Sequence, residues 1–122
     1  MLIDSNIIIY AAQAEHGFLR RFIAENSPAV SAVSYVEVLG YHGLSPDDRK
    51  RFERFFASAR VLALSSNVLE EAVRVRQLRK MKLGDALVAG TALAHRLTLV
   101  TRNAADFEWI PGAQVLNPFE EV

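Results

Sequence analysis

Leu83-Gly84-Asp85-Ala86-Leu87-Val88-Ala89-Gly90-Thr91-Ala92-Leu93-Ala94-His95 runs almost at once into Leu97-Thr98-Leu99-Val100-Thr101. Gly84-Asp85 opens a helix, Ala86 to about His95, rich in small residues. Leu97–Thr101 is a short, apolar strand. A helix feeding a strand with no polar alternation is the signature of a sheet covered on both faces, which in practice means a parallel sheet.

The same alternation extends outward in both directions. Met1-Leu2-Ile3 reads as a buried strand whose C-terminal end presents Asp4. Asn6–Ala12 fits helix or further strand, because three successive isoleucines satisfy either. Phe18, Leu19, Phe22 and Ile23 form the stripe of an amphipathic helix, ended by Asn26-Ser27-Pro28. Ala29–Ala32 is a second strand. Ser34 is spaced as an N-cap with Glu37 as its capping-box partner. Ser45-Pro46-Asp47-Asp48 is a helix start, with a cap, a first-turn proline and two acids; Phe52, Phe55 and Phe56 give that helix its apolar face. Val61–Leu64 is a third strand, and Ser66 or Asn67 caps a helix to about Lys80. After the fourth strand, Gln114-Val115-Leu116 is a fifth at an edge. The expected architecture is α/β, a short parallel sheet of four to five strands flanked by helices, in a single domain over residues 1–122. Ligands of such sheets bind beyond the carboxyl ends of the strands.

Composition narrows the function classes. Of 122 residues, 51% are hydrophobic and none is cysteine, so a packed core is expected and disulfide, zinc-thiolate and cysteine-nucleophile chemistry is excluded. The N-terminus has no basic region before an apolar run, and no stretch approaches the ~18 apolar residues of a membrane span; a cytoplasmic protein without membrane association is expected. Net charge is zero but unevenly placed. Arg74, Arg76, Arg79, Lys80, Lys82, Arg96 and Arg102 surround the single acid Asp85, a stripe that suits a polyanion near a special carboxylate and equally a solvated helix face.

If the strands are parallel, Asp4, Glu37, Asp85, Asn103 and Asp106 converge at one edge of the sheet. Each alone has an ordinary reading: turn former, capping partner, N-cap, loop acid. Together they repel unless protonated or bridged by a cation, and an all-oxygen donor set suits Mg²⁺ or Mn²⁺. Carboxylates and such a metal are the equipment for hydrolysing phosphodiesters. His16, His42 and His95 are not spaced as a metal pair and receive no catalytic role. Tyr35 and Trp109 fit base stacking or core packing.

Leu2-Ile3-Asp4-Ser5-Asn6, Ser34-Tyr35-Val36-Glu37, Leu83 to Ala92 and Leu99-Val100-Thr101-Arg102-Asn103-Ala104-Ala105-Asp106-Phe107, taken in order, resemble the PIN-domain family, and within it the VapC-type and FitB-like toxins. The resemblance implies a three-layer PIN-like fold and a Mg²⁺- or Mn²⁺-dependent endoribonuclease acting through a metal-activated water. It places catalytic acids at Asp4, Glu37 and Asp85, with metal held by Asp4 and Asp85. Asn6 would steady Asp4, and Thr101 supplies the strand-four hydroxyl. Many members carry Asp where this chain has Asn103, so Asp106 is the expected surrogate acid. Arg74, Arg76, Arg79, Lys80 and Lys82 are candidates for RNA phosphates. The resemblance also implies a homodimer and a small antitoxin partner, with Phe18, Phe22, Phe52, Phe55 and Phe56 as a possible source of exposed apolar surface. The alternative is a catalytically weakened PIN-like module that binds RNA or a partner. A haloacid-dehalogenase-type phosphatase would need a second Asp where Asn6 stands, and a receiver domain would need a lysine after a late strand.

Overall fold

The computed structural model describes residues 1–120. Its strands are β1 (Leu2–Ile3), β2 (Ala29–Ser31), β3 (Val61–Leu62), β4 (Leu99–Val100) and β5 (Val115–Leu116). Its helices are α1 (Ser5–Ala11), α2 (Gly17–Asn26), α3 (Ala32–Leu39), α4 (Pro46–Ser58), α5 (Ser66–Leu78) and α6 (Leu83–His95), with 3₁₀ turns at Ala14–His16 and Ala104–Asp106. The strands form one sheet in the order β3-β2-β1-β4-β5, and every pairing is parallel.

Strands this short still serve two cores, because consecutive side chains point to opposite faces. Ile3, Val30 and Val100 enter a core with Ile7, Leu19, Val38, Phe52 and Phe56. Leu2, Ala29 and Leu99 enter a second core with Val75, Val88, Ala89 and Phe107. The result is three layers, with α1–α4 on one face and α5–α6 on the other. Each fully buried Leu, Ile or Val contributes about 1.5–3 kcal/mol, so the dipeptide strands are stabilised mainly by the helices that cover them. α6 lies close against α5 at Gly90, where an added Cβ would sit 2.7 Å from the Val68 carbonyl oxygen and 2.9 Å from the Ala72 nitrogen. The small residues of α6 allow that approach.

Several local expectations need correction. Of the two readings left open for Asn6–Ala12, helix holds: α1 covers Ser5–Ala11 with Ala12 as its C-cap, because Asp4 accepts a hydrogen bond from the Ile7 N–H at 2.9 Å and caps the helix at the strand's end. Ser34 is not an N-cap; Ser31 is, accepting from Val33 N–H, and Ser34 is buried inside α3. Glu37 is therefore no capping-box partner. α5 is capped by Ser65 rather than Ser66 or Asn67, and ends at Leu78 rather than Lys80. Asp85 is not an N-cap either, since α6 begins at Leu83 behind Lys82. The Ser45-Pro46 start stands as read: Ser45 accepts from Asp48 N–H at 3.1 Å.

Candidate active site

β1 ends directly at Asp4, and this is what buries the carboxylate: it is only 7% exposed. Desolvation pushes its acid above the ordinary value of 3.8; hydrogen bonds from the Thr101 hydroxyl and the Ile7 N–H work against that rise, and the negative charges of Asp85 and Glu37 add to it. Thr101, fully buried at the end of β4, also accepts from the Asn103 N–H at 3.1 Å. One hydroxyl thus links the first acid to the turn after β4.

Glu37 arrives from α3, is exposed, and is seated by a neighbour 32 residues away in sequence. Ser5 Oγ donates to its Oε1 at 2.6 Å, and the same Ser5 oxygen lies 2.9 Å from Ser34 Oγ. Gly84 completes the seat from α6. A Cβ there would collide with Glu37 Oε2, so a side chain at position 84 would displace the carboxylate.

Asp85, one residue on, is half-buried in the first turn of α6. Burial raises its acid above 3.8, the nearby Lys82 ammonium lowers it, and Asp106 and Glu37 raise it further. Lys82 lies just outside the motif that carries Asp85, and so escaped a reading of the motif alone. Asp106 ends the 3₁₀ turn, its N–H donating to the Asn103 carbonyl at 3.0 Å. The chain does turn after Thr101, as the spacing of Asn103 and Asp106 requires, and the charge of Asp106 reaches Asp85.

Beyond the carboxyl ends of β1, β2 and β4, the charges of Asp85 and Glu37 therefore bear on Asp4, and those of Asp106 and Glu37 bear on Asp85. The four carboxylates are not closed around a common point: among the described residues, no three His, Asp or Glu side chains are near enough together to hold a metal ion. The donor chemistry still fits a hard divalent cation, being all oxygen and concentrated negative charge. Asn6 is exposed, and the hydrogen bonds that reach Asp4 come from Ile7 and Thr101 instead. The Asn103 side chain is also exposed. Ser5, Ser34 and Gly84 are the positions that sequence reasoning missed.

The basic stripe is only partly free. Arg74 is paired with Glu71 at 2.7 Å, and the Arg79 guanidinium stacks 4.4 Å from the centre of the Trp109 ring. Arg76, Lys80 and Lys82 are exposed. Among the described residues, no helix is long and apolar enough to cross a membrane.

A five-stranded parallel sheet covered on both faces, with Asp4 and Asp85 raised by neighbouring carboxylates past its carboxyl edge, defines an α/β domain with an acidic edge. The PIN domain family model matches residues 1–111, and the chain belongs to the PIN-domain family. Solved structures agree. A chain of a toxin–antitoxin complex from Klebsiella pneumoniae is 31% identical, with 98% of each chain covered and a TM-score of 0.75. A chain of DNA-bound VapBC from Salmonella typhimurium is 22% identical, covering 94% of this chain and 95% of that one, with a TM-score of 0.84. A chain of FitAcB from Neisseria gonorrhoeae is 18% identical, covering 98% and 99%, with a TM-score of 0.77. No curated protein sequence matches.

Proposed function

We propose that this chain is a metal-dependent endoribonuclease and the toxin of a toxin–antitoxin pair. The observation that carries the reading is the pair of raised acids, Asp4 and Asp85, on separate elements and pushed up by burial and by neighbouring carboxylates. A fold that holds like charges in this way is relieved by a cation.

Asp4 and Asp85 would hold Mg²⁺ or Mn²⁺, and a bound ion would neutralise the cluster and polarise a phosphate oxygen. Glu37, held through Oε1 by Ser5 and seated against Gly84, would orient the attacking water and take its proton. Attack at phosphorus in line with the leaving 3′-oxygen breaks that P–O bond and leaves a 3′-hydroxyl and a 5′-phosphate. Asp106 supplies negative charge beside Asp85 where this chain has Asn103. Arg76, Lys80 and Lys82 would contact flanking phosphates, which position RNA without reading its sequence, while Arg74 is engaged by Glu71 and Arg79 by Trp109.

The antitoxin and a homodimer belong to the same proposal. The 31% identical chain comes from a toxin–antitoxin complex. Phe52 and Phe56 are buried, so the five phenylalanines do not form one exposed patch. A groove of about 620 Å³ nevertheless remains beside them, lined by Ile8, Ala11, Ile23, Phe52 and Phe55 together with Arg20 and Arg51. It suits an amphipathic segment of an antitoxin. Light scattering of the isolated chain tests the dimer, and a monomer at high concentration would contradict it.

The test of the activity is cleavage of RNA in EDTA, then with added Mg²⁺ or Mn²⁺. Cleavage is expected only with metal. Full activity in EDTA would overturn the metal reading; binding of RNA or a partner without cleavage under either condition would favour the weakened binding module.

A further inference from the structure

Asp106 is an exposed acid on a single 3₁₀ turn, and such turns have poor hydrogen-bond geometry and little stability of their own. Its backbone is nonetheless held at both ends. The N–H donates to the Asn103 carbonyl, and the carbonyl accepts from the Trp109 indole Nε1–H at 2.9 Å. Trp109 in turn packs against the second core, beside the buried Phe107 and Ile110, and Arg79 from the end of α5 covers its ring. An indole N–H and a guanidinium on the ring face are each modest interactions. In series they connect α5 to the turn that carries Asp106.

We infer that Trp109 is a positioning residue: its N–H, braced by Arg79 on the ring, sets the turn so that the Asp106 carboxylate is directed toward Asp85. The inference rests on the metal-site reading, and it gives Arg79 a role distinct from contacting RNA. The turn's own backbone hydrogen bonds, from the N–H groups of Asp106, Phe107 and Glu108, close it on the Asn103 and Ala104 carbonyls; among the described residues the Trp109 indole is the side chain that fixes the Asp106 carbonyl. Groups that orient a metal site from behind typically change its affinity by tenfold or more; here the lever is one hydrogen bond acting on one acid, so a smaller effect is expected.

The experiment is calorimetric titration of the full chain with Mn²⁺, without RNA. Trp109→Phe keeps a ring for Arg79 and removes the N–H. It is expected to weaken Mn²⁺ binding roughly two- to threefold, no more than Asp106→Asn does. On an Asp106→Asn background the same substitution should cost nothing further, a non-additivity that a purely structural role would not produce. Unchanged affinity in Trp109→Phe, or an equal loss on both backgrounds, overturns the inference while leaving the metal site intact. A wild type that binds no Mn²⁺ overturns the metal reading, and this inference with it. Should Trp109→Phe not fold, Arg79→Gln is the second variant. It is expected to weaken Mn²⁺ binding, although removing a positive charge would by itself favour the cation, and to shift the emission of Trp109, the one tryptophan in the sequence. Unchanged or tighter Mn²⁺ binding in that variant overturns the inference.

Discussion

Asp4 and Asp106 are held in opposite ways. Asp4 is buried, follows a central strand without a linker, and is gripped at its carboxylate by a backbone N–H and the Thr101 hydroxyl. Asp106 is exposed on a 3₁₀ turn and is gripped only through its backbone. Between them stand Asp85, which raises the acid of Asp4 and is itself raised by Asp106, and Glu37, which raises both Asp4 and Asp85 and is fastened by Ser5. A carboxylate fixed in a low-dielectric position pre-orients a cation and is expensive to leave charged without one. A carboxylate on a surface turn tunes the site at little cost to the fold. The two ends should therefore respond very differently to substitution.

The largest effect is expected at the rigid end. Asp4→Asn keeps the helix cap, since Asn caps about as well as Asp, but removes the charge; RNA cleavage at saturating Mg²⁺ should fall at least about a hundredfold. A loss no greater than that of Asp106→Asn would erase the contrast. Thr101→Val comes next. It strips Asp4 of a hydroxyl and leaves the Asn103 N–H without its acceptor. A fall of about tenfold in cleavage and a destabilisation of about 1–3 kcal/mol in denaturant melts are expected; the loss of activity without the loss of stability would mean that Thr101 does not tie the two segments together. Gly84→Ala tests Glu37 from the other side. Because Glu37 is exposed and has room to rotate away, stability should barely change, while cleavage drops several-fold, about as far as the loss of a single positioning contact allows. The smallest effect is expected at Asp106→Asn, with the Mg²⁺ needed for half-maximal cleavage rising about threefold. Adding Asn103→Asp should restore it, and an unchanged metal requirement would show that Asp106 takes no part.

Much of this arrangement could be read in the sequence because it obeys chain direction. Met1-Leu2-Ile3 before Asp4, the Ser45-Pro46 helix start, the strand–helix alternation and the edge strand near Val115 are local signals. Parallel pairing then brings the residues just past β1, β2 and β4 to one side of the sheet. The resemblance to the PIN-domain family held for the same reason: its motifs sit at those strand ends. The features that stayed hidden depend on contacts between distant segments. Ser34 and Glu37 have capping-box spacing, yet α3 starts earlier because Ser31 serves as strand residue and cap together. The partners of Glu37, Ser5 and Gly84, lie on α1 and α6, and no periodicity links them. Asn6 has the right residue type beside Asp4, but the first turn of α1 carries it outward to solvent. Lys82 influences Asp85 from one residue outside the motif. Trp109 could be read as core or as a stacking surface; its position against Arg79 and the Asp106 carbonyl required the fold.

Asp4 and Asp85 are acids that burial and like charge have raised, and the proposed cation would relieve both. The consequence for stability has a definite sign. A carboxylate whose folded-state value lies above its ordinary 3.8 favours the fold fully below that value, and the benefit is lost as pH rises through the folded-state value. The direct measurement is the thermal midpoint of wild type and Asp4→Asn, in EDTA and across a Mg²⁺ titration, at neutral and mildly acidic pH. In EDTA the wild type should melt below Asp4→Asn at neutral pH, and the gap should narrow on acidification. Mg²⁺ should raise the wild-type midpoint at neutral pH and leave Asp4→Asn nearly unmoved. Equal responses of the two proteins to Mg²⁺, or a wild type that melts above Asp4→Asn in EDTA at neutral pH, would contradict the claim that this acidic edge is built for a metal.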